Sequence, residues 1–121
     1  MNKQFIKSYK DLHIYTSAYS AMLSIFKNIL PYLPEFEKFD LKSQLSRSSK
    51  AIPRLIAEGY GKRYQRLGFQ RYLDDSLGEC NETMVSLEQC KDIYNINSDL
   101  VNILIQDYDR IGRQIYKGVL G

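Results

Sequence analysis

The stretch of sequence that decides the fold runs from Ser43 to Arg63 and reads SQLSRSSKAIPRLIAEGYGKR. Apolar and small residues recur in it and just before it at steps of three and four, which places them on one face of a helix. Cations recur at the same steps but point the opposite way. The stretch therefore predicts a helix with a core face on one side and, on the other, a cationic ridge formed by Arg47, Lys50 and Arg54. The predicted core face consists of Leu41, Leu45, Ser48, Ser49, Ile52, Leu55, Ile56 and Gly59.

Pro53 lies inside this helical pattern. It has no N–H to donate to the carbonyl of Ser49, and its ring crowds that carbonyl, so we expect a kink there or a helix broken in two. Gly59 and Gly61 are expected to end the helix, because glycine takes the left-handed conformation after a helix without steric cost.

Three more amphipathic stretches predict helices over Lys10–Leu30, over Arg66–Tyr94, and from a turn at Asn95–Ser98 to about Lys117. The chain is therefore predicted to be all-α, an up-down antiparallel four-helix bundle in a single domain of residues 1–121. The inward positions of these three helices are Tyr15, Ala18, Tyr19, Met22, Ile25, Phe26 and Ile29, then Phe69, Leu73, Ser76, Leu77, Cys80, Met84, Leu87 and Tyr94, and finally Leu100, Leu104, Tyr108, Ile111 and Ile115.

The connector Pro31–Phe39 is too apolar for a free linker, and we expect it to pack over one end of the bundle. Asp40 follows it directly and is a good N-cap for the second helix, because its carboxylate can accept from free N–H groups of the first turn. Either Asn97 or Ser98 can cap the fourth helix in the same way.

The motifs RSS at Arg47–Ser49, AIP at Ala51–Pro53 and IAEGYG at Ile56–Gly61 together form a specific pattern. This pattern resembles the signature of the four-helix-bundle proteins first noticed as reading frames inside 23S ribosomal RNA intervening sequences. The likeness covers nearly the whole chain. The further matching positions are Tyr9–Leu12, Ile14, Tyr15, Ala18, Gln44, Leu45, Phe69, Tyr72, Leu73, Gly78, Glu82 and Leu87.

This resemblance implies a four-helix bundle that assembles as a homopentamer. The chain is also similar to the accessory variability protein of diversity-generating retroelements, a cationic pentamer that works beside a reverse transcriptase on RNA and DNA. Three positions depart from the family pattern, with Leu55 in place of Asn, Ser76 in place of Ala and Glu79 in place of Ser. Any function that the family draws from that Asn is in doubt here.

The net charge of +3 hides an uneven distribution. Between Lys42 and Arg71 there are eight basic residues and a single acid, Glu58, so this segment carries +7. The remainder from residue 72 to 121 is acidic. This division of charge favours a protein that binds a polyanion on its basic side. The simpler alternative is a solvated surface whose charges only aid solubility.

The loop after the second predicted helix, Gly59–Arg66, places Lys62, Arg63 and Arg66 around Tyr60 and Tyr64. Cations beside aromatic rings can hold phosphates and stack unpaired bases. The alternative is that the tyrosines pack against a neighbouring helix or subunit while the cations are merely exposed.

Asp75, Glu79 and Glu82 share the outer face of the third predicted helix. A di-iron bundle needs Glu-x-x-His on two helices, and His13 is the only histidine of the chain. A solvated acidic face, or one that meets the basic ridge of a neighbouring subunit, is the better interpretation. Glu58 and Glu82 are each expected to pair with an Arg across helices.

Several functions and locations are disfavoured by the composition. No apolar run approaches the ~20 residues of a membrane span, and Met1–Lys7 lacks the apolar stretch of a signal peptide, so we expect a cytoplasmic protein. Cys80 and Cys90 would lie ~15 Å apart on one helix, beyond disulfide reach. Two cysteines and one histidine are too few for a usual zinc site, and we expect no cofactor.

The sequence thus favours a non-enzymatic, oligomeric module that binds the backbone of RNA or DNA, in the service of a retroelement reverse transcriptase or of an rRNA intervening sequence. The alternative is a protein–protein scaffold whose basic face docks an acidic partner. An enzyme is disfavoured because there is no glycine-rich phosphate loop and no histidine near Ser48 or Ser49 to activate a hydroxyl. The predicted nucleic-acid-binding residues are Arg47, Lys50, Arg54, Lys62, Arg63, Tyr64, Arg66 and Arg71.

Overall fold

The computed structural model describes the backbone of residues 5–120 and the side chains of residues 5–118. Within this part of the chain all regular structure is helical, and no helix is long and apolar enough to cross a membrane. Short turns of 3-10 helix precede and follow the first α-helix. The α-helices are α1 (His13–Asn28), α2 (Leu41–Gly61), α3 (Gly68–Tyr94) and α4 (Ser98–Leu120), and the 3-10 turns are Tyr9–Asp11, Leu30–Tyr32 and Glu35–Glu37.

The four helices form a ring in which each packs against its sequence neighbours and α4 closes back onto α1. Across residues 5–120 no Cα atoms of the diagonal pairs α1–α3 and α2–α4 lie within 8 Å of each other. A Cβ on Gly118 would lie 3.1 Å from Leu73 Cδ1, whereas Gly112, earlier on α4, faces Leu77, later on α3. These two helices are therefore antiparallel, and the predicted all-α, up-down antiparallel four-helix bundle is confirmed.

The core lies along the predicted stripes of all four helices. On α2 the core face is fully buried at Leu45, Ile52 and Ile56. Leu55, at the margin of this face, is half-buried. On α1 the prediction was partly wrong, because Tyr19 and Phe26 remain about two-fifths exposed (43% and 37%) at the edge of the stripe. Buried positions outside the predicted set include Leu30, Leu33, Thr83, Ser86, Cys90, Ile96 and Val101.

Helices α2 and α3 approach each other closely because small residues line their contact. The Thr83 hydroxyl on α3 lies 2.8 Å from the Ser48 hydroxyl on α2, and both side chains are buried. A Cβ on Gly59 would come within 2.7 Å of Tyr72 Cβ. Gly59 therefore allows the close packing of two helices and does not end α2 as predicted.

Helix α2 ends at Gly61, as predicted, but not by the predicted mechanism. None of the described glycines has a positive φ, and the chain leaves the helix through Lys62 at φ −108° and ψ 17°. The N–H of Lys62 still bonds back to the carbonyls of Glu58 and Gly59, at 3.2 and 3.0 Å. These bonds satisfy the end of the helix without a left-handed residue.

Helix α2 runs without interruption through Pro53, so the predicted break in two is wrong. Pro53 is itself buried, and Ile52 and Ile56 hold the helix against the same core before and after it. One missing backbone hydrogen bond is therefore not enough to end the helix. A kink at Pro53 stays a prediction.

The connector between α1 and α2 covers the end of the bundle less than predicted. Leu33 is buried, but Tyr32, Phe36 and Phe39 are 69%, 78% and 89% exposed. Phe36 touches the edge of the Tyr94 ring at a centroid distance of 6.1 Å. Only Leu33 therefore acts as the expected apolar cap.

Glu37, and not Asp40, caps helix α2. Asp40 occupies the N-cap position, but its backbone is not extended and its side chain makes no capping bond. The Glu37 carboxylate instead accepts a hydrogen bond from the N–H of Leu41 at 3.2 Å and another from the Tyr94 hydroxyl. The bond to Glu37 raises the pKa of Tyr94 to about 12. One carboxylate thus ties the start of α2 to the end of α3.

Candidate nucleic-acid interface

The cationic ridge lies on the solvent side of α2. Arg47, Lys50 and Arg54 are all exposed, opposite the buried face of the same helix. Lys50 Nζ stands 5.9 Å from the centre of the Phe26 ring on α1. Arg47 is close enough to Glu79 on α3 to oppose part of the rise that desolvation causes in the pKa of that carboxyl. The ridge therefore runs along the outer surface between α1 and α3, with its orientation as predicted.

The loop between α2 and α3 holds a stack of one cation and two aromatic rings. The Arg63 guanidinium carbon lies 3.9 Å from the Tyr60 ring centre and 4.4 Å from that of Tyr64. Its nitrogens donate to the Tyr60 carbonyl at 2.8 Å and to the Tyr64 hydroxyl at 3.1 Å. Tyr64 is 87% exposed, so most of its ring faces solvent beside a fixed positive charge.

Tyr60 and Lys62 are held by α3. The Tyr60 ring meets Phe69 edge to face at a centroid distance of 6.3 Å and is half-buried. Of the two interpretations of this tyrosine, packing against a neighbouring helix is therefore the one that fits. Lys62 Nζ donates to the Tyr72 hydroxyl at 2.7 Å, and this bond raises the pKa of Lys62. Lys62 therefore keeps its charge at neutral pH.

Arg66 and Arg71 are exposed as well, in the turn before α3 and in its first turns. Leu67 between them adopts a left-handed backbone with φ 59°, which directs the chain from the turn into α3. In the described chain no hydrogen bond or ring contact links either arginine to the stack at Arg63. The structure thus brings Lys62, Arg63 and Tyr64 together locally, with Arg66 and Arg71 following as separate exposed charges.

None of these cations forms a direct ion pair with a carboxylate within the described chain, although Glu79 lies near Arg47 and Glu58 near Lys62. The ion pairs of residues 5–120 both lie on α4, between Arg110 and Asp107 and between Arg113 and Asp109. The predicted cross-helix pairing of Glu58 and Glu82 with arginine is therefore wrong. Glu82 instead acts on Glu79 of its own helix, whose pKa it raises. Glu58 is exposed to water, where an ion pair adds little stability.

The acidic face of α3 borders the ridge at one end. Asp75 and Glu82 are exposed, as predicted for a solvated face, while Glu79 is half-buried. Desolvation raises the pKa of Glu79, and the nearby Glu82 carboxyl raises it further, against the opposing effect of Arg47. These carboxyl groups weaken the attraction of an anion to Arg47. Lys50 and Arg54 follow Arg47 along the ridge.

Sequence reasoning missed a tyrosine cluster beside that part of the ridge. Tyr9, Tyr15 and Tyr19 line a cleft of about 410 Å³ whose other wall includes Lys50 and Arg54. Tyr9 meets Tyr15 edge to face at 4.9 Å between ring centres, and Tyr15 and Tyr19 are 5.8 Å apart. The signal was the four-residue step from Tyr15 to Tyr19, which was assigned to the core.

The cysteines are buried free thiols on α3. Burial raises the pKa of Cys80 to about 12 and that of Cys90 to about 11, so both carry little thiolate at neutral pH. Among the residues that the structure describes, no group of three or more His, Cys, Asp or Glu side chains could hold a metal ion.

These features define a class of protein, a small four-helix bundle with one unpaired cationic side bordered by aromatic rings. The chain belongs to the 23S rRNA-intervening sequence protein family, whose family model matches residues 10–117. The match includes α1, α2 and α3 and nearly all of α4, which confirms the resemblance found in the sequence. No curated protein and no solved structure matches the chain. The family match does not test the likeness to the accessory variability protein of retroelements, which stays a prediction.

Proposed function

We propose that this protein is a non-enzymatic, cytoplasmic, oligomeric module that binds the phosphate backbone of RNA or DNA. The observation that carries the proposal is the set of exposed cations that form no direct ion pair with a carboxylate within residues 5–120. An unpaired surface cation remains available to an external phosphate, and each phosphate contact releases condensed counterions. The cations are Arg47, Lys50, Arg54, Lys62, Arg63, Arg66 and Arg71.

The spacing of the ridge supports a backbone ligand. Arg47 and Arg54 are seven residues apart on one helix, a distance of ~10 Å. Three cations over this distance can contact neighbouring phosphates of one strand. Such contacts fix position and carry no sequence information, and we therefore expect little sequence preference.

The family description favours RNA as the ligand, since it links these proteins to 23S rRNA intervening sequences. In the retroelement version of the proposal, the same surface acts beside a reverse transcriptase. A reverse-transcriptase gene next to this one would favour that version, and a surrounding ribosomal RNA gene would favour the intervening-sequence role.

Binding should depend steeply on salt. The unmodified protein is expected to bind structured RNA and duplex DNA at low salt, and the logarithm of its affinity should fall linearly with the logarithm of the salt concentration. Fluorescence anisotropy across a potassium chloride series measures this slope. Absence of binding even at the lowest salt would contradict the proposal and leave a scaffold with an acidic protein partner as the better function.

We also propose that the protein assembles as a homopentamer. The family resemblance implies this number of subunits, and Ile103 and Tyr116 on α4, each 54% exposed, offer apolar surface for a contact between them. A ring would repeat the ridge in every subunit, so several weak phosphate sites could act together. Light scattering after gel filtration should give a mass near five times 14.1 kDa. A single monomer peak at micromolar concentration would contradict this assembly.

A further inference from the structure

The cleft between α1 and α2 has a composition different from that of the bundle core. Three tyrosines form one wall, and Lys50 and Arg54 belong to the other. No carboxylate lines it. By contrast, the hollow between α1 and α4 contains both Asp107 and Arg110, which pair with each other at 3.3 Å.

We infer that this cleft binds one unpaired nucleotide of an RNA whose backbone lies on the cationic ridge, with the base against the Tyr19 ring and the adjoining phosphate on Lys50 or Arg54. The inference rests on the proposed function and adds a specific ligand class to it. It makes the protein a reader of bulged or looped RNA, whereas the ridge alone would bind any phosphate backbone.

The aromatic wall is held in place before any ligand arrives. Tyr15 is half-buried between Tyr9 and Tyr19, and desolvation raises the pKa of its hydroxyl, which therefore stays protonated at neutral pH. Tyr19 is 43% exposed, so part of its ring is open to the cleft and to solvent. A preorganised ring loses little conformational entropy when a base stacks on it.

The dimensions and the chemistry fit a nucleotide. The volume of about 410 Å³ lies within the ~300–1,000 Å³ typical of small-ligand sites. Within residues 5–120 the hydroxyls of Tyr9, Tyr15 and Tyr19 make no hydrogen bonds, so they are available to the polar edge of a base. Unpaired bases in RNA are commonly bound by aromatic stacking combined with cations at the phosphate.

The decisive experiment compares two hairpin RNAs with the full-length protein at low salt. One hairpin has a single unpaired adenosine in its stem, and the other has the same stem fully paired. The parent protein should prefer the bulged hairpin by about 5- to 150-fold, the range expected for one base stacked on an aromatic ring. Tyr19→Ala should remove most of this preference, and Tyr19→Phe should keep it because the ring remains.

Tyr32→Ala is the matched control, because Tyr32 is 69% exposed and lies in the turn after α1, outside the cleft. It should leave the preference unchanged. As a second measurement, 2-aminopurine at the unpaired position should lose fluorescence on binding to the parent and not to Tyr19→Ala. Circular dichroism confirms that each variant is folded.

The outcomes separate the two proposals. If the parent binds neither hairpin, the proposed function fails and the cleft inference fails with it. If the parent binds both hairpins equally, or if Tyr19→Ala retains the preference, the cleft inference alone is overturned and backbone binding stands. A change of oligomeric mass in Tyr19→Ala would show that the cleft is a contact between subunits, which also overturns it.

Discussion

Reversing Arg47, Lys50 and Arg54 to Glu is expected to lower the affinity for duplex DNA and structured RNA by about 100-fold or more at low salt. Three attractive phosphate contacts become repulsive, and the slope of log affinity against log salt should flatten by about 3 units. The fold should survive, because all three side chains point into solvent and the opposite face of α2 fills the core. Fluorescence anisotropy in a salt series measures both quantities.

A second triple variant on α4 separates a local site from overall charge. Reversing Arg110, Arg113 and Lys117 changes the net charge by the same amount on the helix diagonally opposite α2. The ion pairs lost with Arg110 and Arg113 are exposed and of little consequence for stability. This control should reduce affinity only modestly. If both triple variants weaken binding equally, attraction follows net charge and not the ridge. If the ridge variant binds as the parent does, the nucleic-acid proposal fails.

Much of the fold could be predicted because helical periodicity decides burial. Steps of three and four along α2 placed Leu45 and Ile56 in the core and Arg54 outside, and the structure agrees at each position. The continuity of α2 through Pro53 could not be predicted in this way. Helix-breaking rules consider the backbone hydrogen bond that proline lacks, but not the apolar residues buried before and after it. Tertiary packing kept the helix continuous.

The candidate site was predictable in its cations but not in its aromatic part. Arg47 and Lys50 were exposed as expected, since charge on the outer face of a helix follows from the sequence spacing. The cleft joins Tyr9, in a turn, and Tyr19, on α1, to the far wall formed by α2. The helical spacing of apolar residues does not show which aromatic rings are buried and which lie partly exposed at the margin of the core face. The cap from Glu37 was missed for a related reason, because a 3-10 turn brings it to the start of α2.

Truncating Leu45 or Ile56 to Ala should lower the free energy of unfolding by ~2–5 kcal/mol each. Both side chains have no exposed surface, so each truncation removes buried apolar contacts and leaves a cavity that the bundle cannot fill. A domain of this size is stable by roughly 5–15 kcal/mol, so either change removes a large share. The two residues are eleven positions apart on α2, a distance of ~16 Å, and their effects should add. Urea unfolding followed by circular dichroism gives these free energies.

Ile93→Ala is the matched control for both truncations, because Ile93 on α3 is 61% exposed and its shortening should change stability by no more than ~0.5 kcal/mol. The core variants should also bind RNA as the parent does at temperatures where they remain folded, since Arg47, Lys50 and Arg54 occupy the other face of the helix. Loss of stability without loss of affinity would show that α2 separates the two tasks by face, with packing on one side and phosphate binding on the other. Unchanged stability of Leu45→Ala or Ile56→Ala would instead mean that the helix is turned differently, and the exposure of the ridge would then be wrong as well.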